Sequence, residues 1–171
     1  MNNLIGYGLA AFLGLGTIAL VFNAYGTSQK DSYVQQTFIE MNALVAEVVK
    51  TYGHTPARYT TAAITDETLI DLEIAPESSR RSPTLIQNVF GGEYAVTGAT
   101  NTFTLDTDTV PADACVDLVT RIVPNGSINA IRVAETIADL GAAADLTLPV
   151  NTTAAATACA NDNNAIRLAA G

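Results

Sequence analysis

The sequence predicts an α+β fold: a long N-terminal α-helix in two parts, packed on a head with a mainly antiparallel β-sheet. An uncharged apolar segment at the N-terminus runs into an amphipathic helical pattern, and the chain from about residue 60 onward reads as short strands, tight turns and short helices. A length of 171 residues suits one domain with a core of ordinary size rather than two.

The first 29 residues contain no Asp, Glu, Lys, Arg or His. Within them Leu4 to Phe22 is an uncharged run of 19 residues, about 28 Å long as a helix and close to the thickness of a hydrocarbon core. A cleavable secretory signal would need a basic region before a shorter apolar stretch, and no basic residue precedes this run. A plain single-span anchor fits the length, but Lys30 on its C-terminal side would then place the head in the cytoplasm. A third reading fits better: a basic leader has been removed, Met1 opens the mature protein, and the head lies outside the inner membrane. Gly6, Ala10 and Gly14 recur every fourth residue, the ridge of small residues that lets membrane helices approach closely. Gly14, Leu15 and Gly16 mark a place where the helix can unwind.

After the polar break from Asn23 to Ser28 the helical pattern resumes over 29–52. Val34, Phe38, Met41, Val45, Val48 and Tyr52 make one apolar stripe, with Lys30, Asp31, Glu40, Glu47 and Lys50 expected mostly off it. Gly53 and Pro56 end the helix. Residues 1–28 are thus the apolar membrane or filament-core half, and 29–171 form the head together with the amphipathic half, 29–52.

In the head, Thr65 is placed to cap a short helix running to Leu72. Asn88 to Gly92 is a turn, followed by strands over Glu93 to Thr97 and Thr102 to Leu105. Pro111 opens a helix that buries Ala114, Cys115, Leu118, Val119 and Ile122. Asn125-Gly126 is a turn, Ile128 to Val133 a strand, Ala142 to Ala158 loop-rich, and Ala165 to Ala169 a closing strand.

The two cysteines, Cys115 and Cys159, read as one disulfide if the head is exported and as two buried thiols if the protein is cytosolic. The bridge would close a loop of about 45 residues, for roughly 4 kcal/mol of stabilisation in the chain-entropy model. The N-terminal segment favours the first reading.

Charge and composition exclude several functions. Seventeen acids against eight bases give a net charge of −9, which repels phosphate backbones, so no direct nucleic-acid binding is expected. Arg80-Arg81 is the only basic cluster. His54 is the single histidine, leaving no His-rich metal site and no catalytic constellation. Asp106 and Asp108 read as solvated loop acids, and Asp66, Glu67, Asp71, Glu73 and Glu77 as a solvated helix face. Asn125-Gly126-Ser127 and Asn151-Thr152-Thr153 match the glycosylation sequon by coincidence if the source is bacterial. No cofactor is expected, and the chain does not read as an enzyme.

These residues, in this order, resemble the type IV pilins and within them the type IVb group. The likeness is strongest to the major pilins of conjugative thin pili and more distant to the toxin-coregulated pilin. Leu72-Glu73-Ile74-Ala75-Pro76 resembles the segment after the family's long helix. Asn88-Val89-Phe90-Gly91-Gly92 resembles its Asn-Pro-aromatic-Gly-Gly turn, with Val89 in place of proline. Phe103-Thr104-Leu105 and Val110-Pro111-Ala112-Asp113-Ala114-Cys115 resemble its strand and first cysteine. Cys159, Asn163-Asn164 and the last strand resemble its C-terminal part.

The resemblance implies a structural subunit whose partners are copies of itself in a helical homopolymer, the inner membrane before assembly, and the pilus assembly machinery. It implies that Leu4, Ile5, Gly6, Ala10, Phe12, Leu13, Leu15, Ile18, Leu20, Val21 and Phe22 pack the filament core, that Gly14 to Gly16 melts there, and that the filament is extracellular. Many family members carry glutamate at mature position five. Ile5 stands there instead, so the Met1 amine would need another partner, such as Asn2, Asn3 or a carbonyl. A minor pilin or pseudopilin, or a membrane-anchored extracytoplasmic binding domain, would share much of this pattern.

Overall fold

The computed structural model describes residues 29–53, 59–60, 64–122 and 127–171. Expectations for the apolar run, His54, Pro56 and the Asn125-Gly126 turn lie outside the described residues. The chain divides into two compact units, Met1–Tyr33 and Val34–Gly171, and the second contains the head.

Helix α1 occupies residues 29–52. Val34, Met41, Leu44, Val45 and Val48 on it are buried at the three- and four-residue spacing that puts side chains on one face of a helix. Phe38 and Tyr52 flank this stripe and are partly buried. The same face also buries Thr37 and Glu40. Glu40 was expected off the stripe, and its inward position is a correction explained by the donors that meet it, described below.

Helix α2, Asp66–Asp71, starts at Thr65, whose hydroxyl accepts the Thr68 N–H at 3.2 Å. A 3-10 turn, Glu77–Ser79, leads to a two-stranded hairpin of β1, Arg80–Ser82, and β2, Leu85–Ile86. The four-stranded sheet follows: β3, Tyr94–Gly98; β4, Phe103–Pro111; β5, Ile128–Ala134; and β6, Asn163–Ala170. Its order is β3-β4-β6-β5 with every pair antiparallel, so the last strand is central. Helix α3, Ala112–Arg121, connects β4 to β5, and helix α4, Thr152–Ala158, precedes β6.

The register separates the two faces. Val96, Leu105, Leu168 and Ile131 stand in one row across the four strands, all buried in the same apolar cluster as the inner face of α1. The neighbouring row on the other face is Ala95, Asp106, Arg167 and Arg132. A second 3-10 turn, Ile137–Gly141, packs on β4, β5 and β6. Its Leu140 is fully buried, as is Ala165 of β6, yet both lie outside the main cluster.

Two expected elements are corrected. The strand expected over Thr102 to Leu105 continues to Pro111, so Asp106 and Asp108 belong to a strand and not a loop. The loop-rich Ala142–Ala158 segment contains α4. Asn151 caps that helix, its Oδ1 accepting the Ala154 N–H at 2.8 Å. The alanine content that weakened any apolar stripe is itself strongly helix-forming.

Candidate functional site

The features that bear on function are those fixing α1 to the sheet, those closing the C-terminal region, and the surfaces left over.

The first feature is a buried polar cluster around Glu40, which is only 2% exposed. Its Oε1 accepts from Gln36 Nε2 at 2.9 Å and Ser78 Oγ at 2.7 Å. Its Oε2 accepts from the Tyr94 hydroxyl at 3.1 Å. Among the described residues no cation pairs with this carboxylate. Neutral donors from α1, the turn before β1, and β3 supply the hydrogen bonds that make its burial tolerable. Burial is the main cause that raises the Tyr94 phenol above the usual tyrosine range, followed by the charge and hydrogen bond of Glu40, with Thr37 acting in the opposite direction.

The second feature pins the turn before β3. Asn88 is buried, and its Oδ1 accepts the N–H groups of Phe90 at 2.8 Å and Gly92 at 3.0 Å. Its Nδ2 donates to Thr107 Oγ1 at 2.7 Å and the Asp108 carbonyl at 2.9 Å. Gly91 has φ 88°, which favours glycine. A Cβ at Gly92 would collide with the Asp108 carbonyl oxygen. Opposite this turn β4 is irregular between Thr107 and Val110, and Thr109 has φ 58°.

The third feature closes the C-terminal region. Cys115 of α3 and Cys159, the C-cap of α4, form the disulfide, with Cα atoms 5.8 Å apart and a sequence separation of 44. The pair expected from the sequence is therefore bonded. Asn164 extends this region to the sheet, its Nδ2 donating to the carbonyls of Asn161 at 2.8 Å and Val110 at 3.3 Å. Glu135, Thr136, Ala160, Asn161, Asp162 and Asn163 line an open cleft of about 520 Å³ beside it.

Across the sheet, Arg167 Nε and Nη2 each donate to a different oxygen of Asp106 at 2.7 Å, a bidentate pair. The Asp106 side chain is 4% exposed and that of Arg167 21%. Asp106 raises Arg167 above its ordinary value chiefly through this hydrogen bond, against the opposing effect of burial. Arg132 binds Asp145 at 2.6 Å on the same face. Asp66 is half-buried rather than solvated, and burial, then the charge of Glu93, raise its carboxyl. No group of acids, histidines or cysteines among the described residues could hold a metal ion.

The residues expected to pack the filament core, Leu4, Ile5, Gly6, Ala10, Phe12, Leu13, Leu15, Ile18, Leu20, Val21 and Phe22, lie outside the described residues, as do Gly14, Gly16 and Met1. No helix among the described residues is long and apolar enough to cross a membrane.

A long helix on a four-stranded antiparallel sheet, with a disulfide closing its C-terminal part, defines a pilin head. Residues 31–170 match the family model described as PilS N terminal, and the chain belongs to that family: it is a type IVb pilin, a structural subunit and not an enzyme. It is similar in fold to a type IV b pilin from Salmonella typhi, at 20% sequence identity and a TM-score of 0.57, over 77% of this chain and 95% of that one. It is similar also to TcpA, a type IV pilin from the Vibrio cholerae El Tor biotype, at 17% identity and a TM-score of 0.56, over 82% of this chain and 99% of that one. No curated protein matches the sequence.

Proposed function

We propose that this pilin is the major subunit of its filament and polymerises through residues 1–28. The carrying observation is the charge-free N-terminal segment, joined to a head that belongs to the pilin family. Such a segment is held by the inner membrane before assembly and by other subunits after it. Leu4 to Phe22 then pack against neighbouring copies, with the small residues Gly6, Ala10 and Gly14 allowing close approach. Burying ten large apolar side chains from water is worth roughly 15–30 kcal/mol gross. The starting state is lipid, however, so the net gain is far smaller and extraction needs the work of an assembly machine. The sequence likeness to major pilins of thin pili supports a conjugative filament. The test is mass spectrometry and electron microscopy of filaments sheared from expressing and deletion strains. Filaments composed mainly of this chain and lost on deletion are expected; filaments that persist without it would make it a minor pilin.

A further inference from the structure

Arg81 is the extra residue of a bulge. Arg80 pairs with Ile86 and Ser82 with Leu85, so Arg81 faces no residue across the hairpin, and a bulge of this kind re-aims a side chain. Arg81, Ser82, Pro83 and Thr84 are all exposed. Other described cations have work within the head. Lys50 binds Glu47, Arg132 binds Asp145 and Arg167 binds Asp106. Arg80 holds the Ala75 carbonyl at 2.7 Å, and Arg121 sits in the last turn of α3, where a cation complements the helix dipole. Arg81 has no such role among the described residues, in a chain where acids outnumber bases seventeen to eight.

The cleft beside the disulfide has the complementary character. Its lining includes the carboxylates of Glu135 and Asp162 and no cation, with Thr136, Asn161 and Asn163 as further polar groups. Its volume of about 520 Å³ leaves room for an arginine side chain. The hairpin leads into β3 through the Gln87–Glu93 bridge, at one edge of the sheet. The cleft lies where β5 ends and β6 begins, toward the opposite edge.

We propose that the Arg81 hairpin of one copy seats in the Glu135–Asp162 cleft of the next. The proposal rests on the filament reading and adds the contact between heads. Because hairpin and cleft are different surfaces on opposite edges, the contact is heterologous, the type that propagates as an open helical polymer when its rotation does not close. It also places a cation of one subunit against acids of its neighbour, where bodies of net charge −9 would otherwise repel.

A charge exchange in the full-length pilin tests the contact. Arg81→Glu alone, and Glu135→Arg with Asp162→Arg, should each lower the yield of sheared filaments roughly tenfold, the loss expected from reversing one interfacial charge pair. The membrane pool of pilin should stay at its normal level. The three substitutions together should restore filaments. Normal yield from either partial variant, or no restoration by the combination, overturns the contact while leaving the filament reading intact. If an exchanged variant does not accumulate, Arg81→Cys with Asp162→Cys decides: a ladder of disulfide-linked oligomers from intact filaments supports the contact, and monomers alone overturn it. Absence of filaments from the unaltered strain overturns the filament reading and this contact with it, an outcome distinct from the loss of the contact alone.

Discussion

The Tyr94 hydroxyl donates to the buried Glu40 carboxylate at 3.1 Å across 54 residues of sequence, joining β3 to the inner face of α1. Tyr94→Phe removes one of three donors from a carboxylate that is buried in the head. A hydrogen bond to a charged group is worth about 1.5–3 kcal/mol, and denaturant unfolding should show a loss of that size. Glu40→Gln keeps the shape but supplies a single acceptor oxygen for three donors, and should cost at least as much. Unchanged stability in both variants would mean that the cluster does not secure the helix.

Tyr94 also sets an alkaline limit. Its folded pKa is raised above the ordinary value near 10, so the fold holds a proton that the unfolded chain releases. The stabilisation is complete below about pH 10 and is lost as pH rises above it, by about 1.4 kcal/mol per pH unit for one proton. Tyr52, also raised by burial, acts in the same sense. Unfolding of the native protein followed from pH 9 to 11 should steepen in this way, and Tyr94→Phe should flatten the curve.

The Asp106–Arg167 pair should respond asymmetrically. Arg167→Met leaves a carboxylate that is 4% exposed without its cation and should destabilise the head by about 3–5 kcal/mol. Asp106→Leu combined with Arg167→Met should recover most of that loss, because an apolar pair of similar volume avoids both desolvation terms. Thermal unfolding of the single and double variants measures the difference.

Cys115→Ser should prevent accumulation of assembled protein. The bridge ties α3 to the end of α4 across 44 residues, a loop whose closure is worth roughly 4 kcal/mol, a large share of the margin of a small domain. Immunoblots of sheared and membrane fractions would report it, and normal filaments from the variant would contradict a structural role for the bond.

Asp66 carries the opposite sign to most carboxylates. Its pKa is raised by burial and by Glu93, so the folded state is penalised as pH climbs through the carboxylate range. Asp66→Asn should therefore raise stability at neutral pH, with the gain fading below about pH 4.

What the sequence made legible was local. The α1 stripe, the Thr65 cap, the Asn88–Gly92 turn and the closing strand announce themselves in residues a few positions apart, and the observed elements follow them. What stayed hidden depends on distant partners. Asp106 reads as a solvated acid until β6 brings Arg167 to it, 61 residues later. Glu40 reads as part of an outer face until Ser78 and Tyr94 supply its donors. Helix α4 is silent in the sequence pattern because its alanines and threonines carry no apolar periodicity. The cleft at Glu135 and Asp162 joins residues that follow two different strand and helix ends, and no local motif marks it.

The most direct test of polymerisation through the N-terminal segment is a helical reconstruction of sheared filaments by cryo-electron microscopy at side-chain resolution. The expected map has Leu4 to Phe22 of successive copies packed along the filament axis and a backbone that departs from α-helix at Gly14 to Gly16. Heads joined in a filament whose axis contains none of these segments would contradict the account, and continuous α-helix through Gly14 to Gly16 would contradict the melted segment.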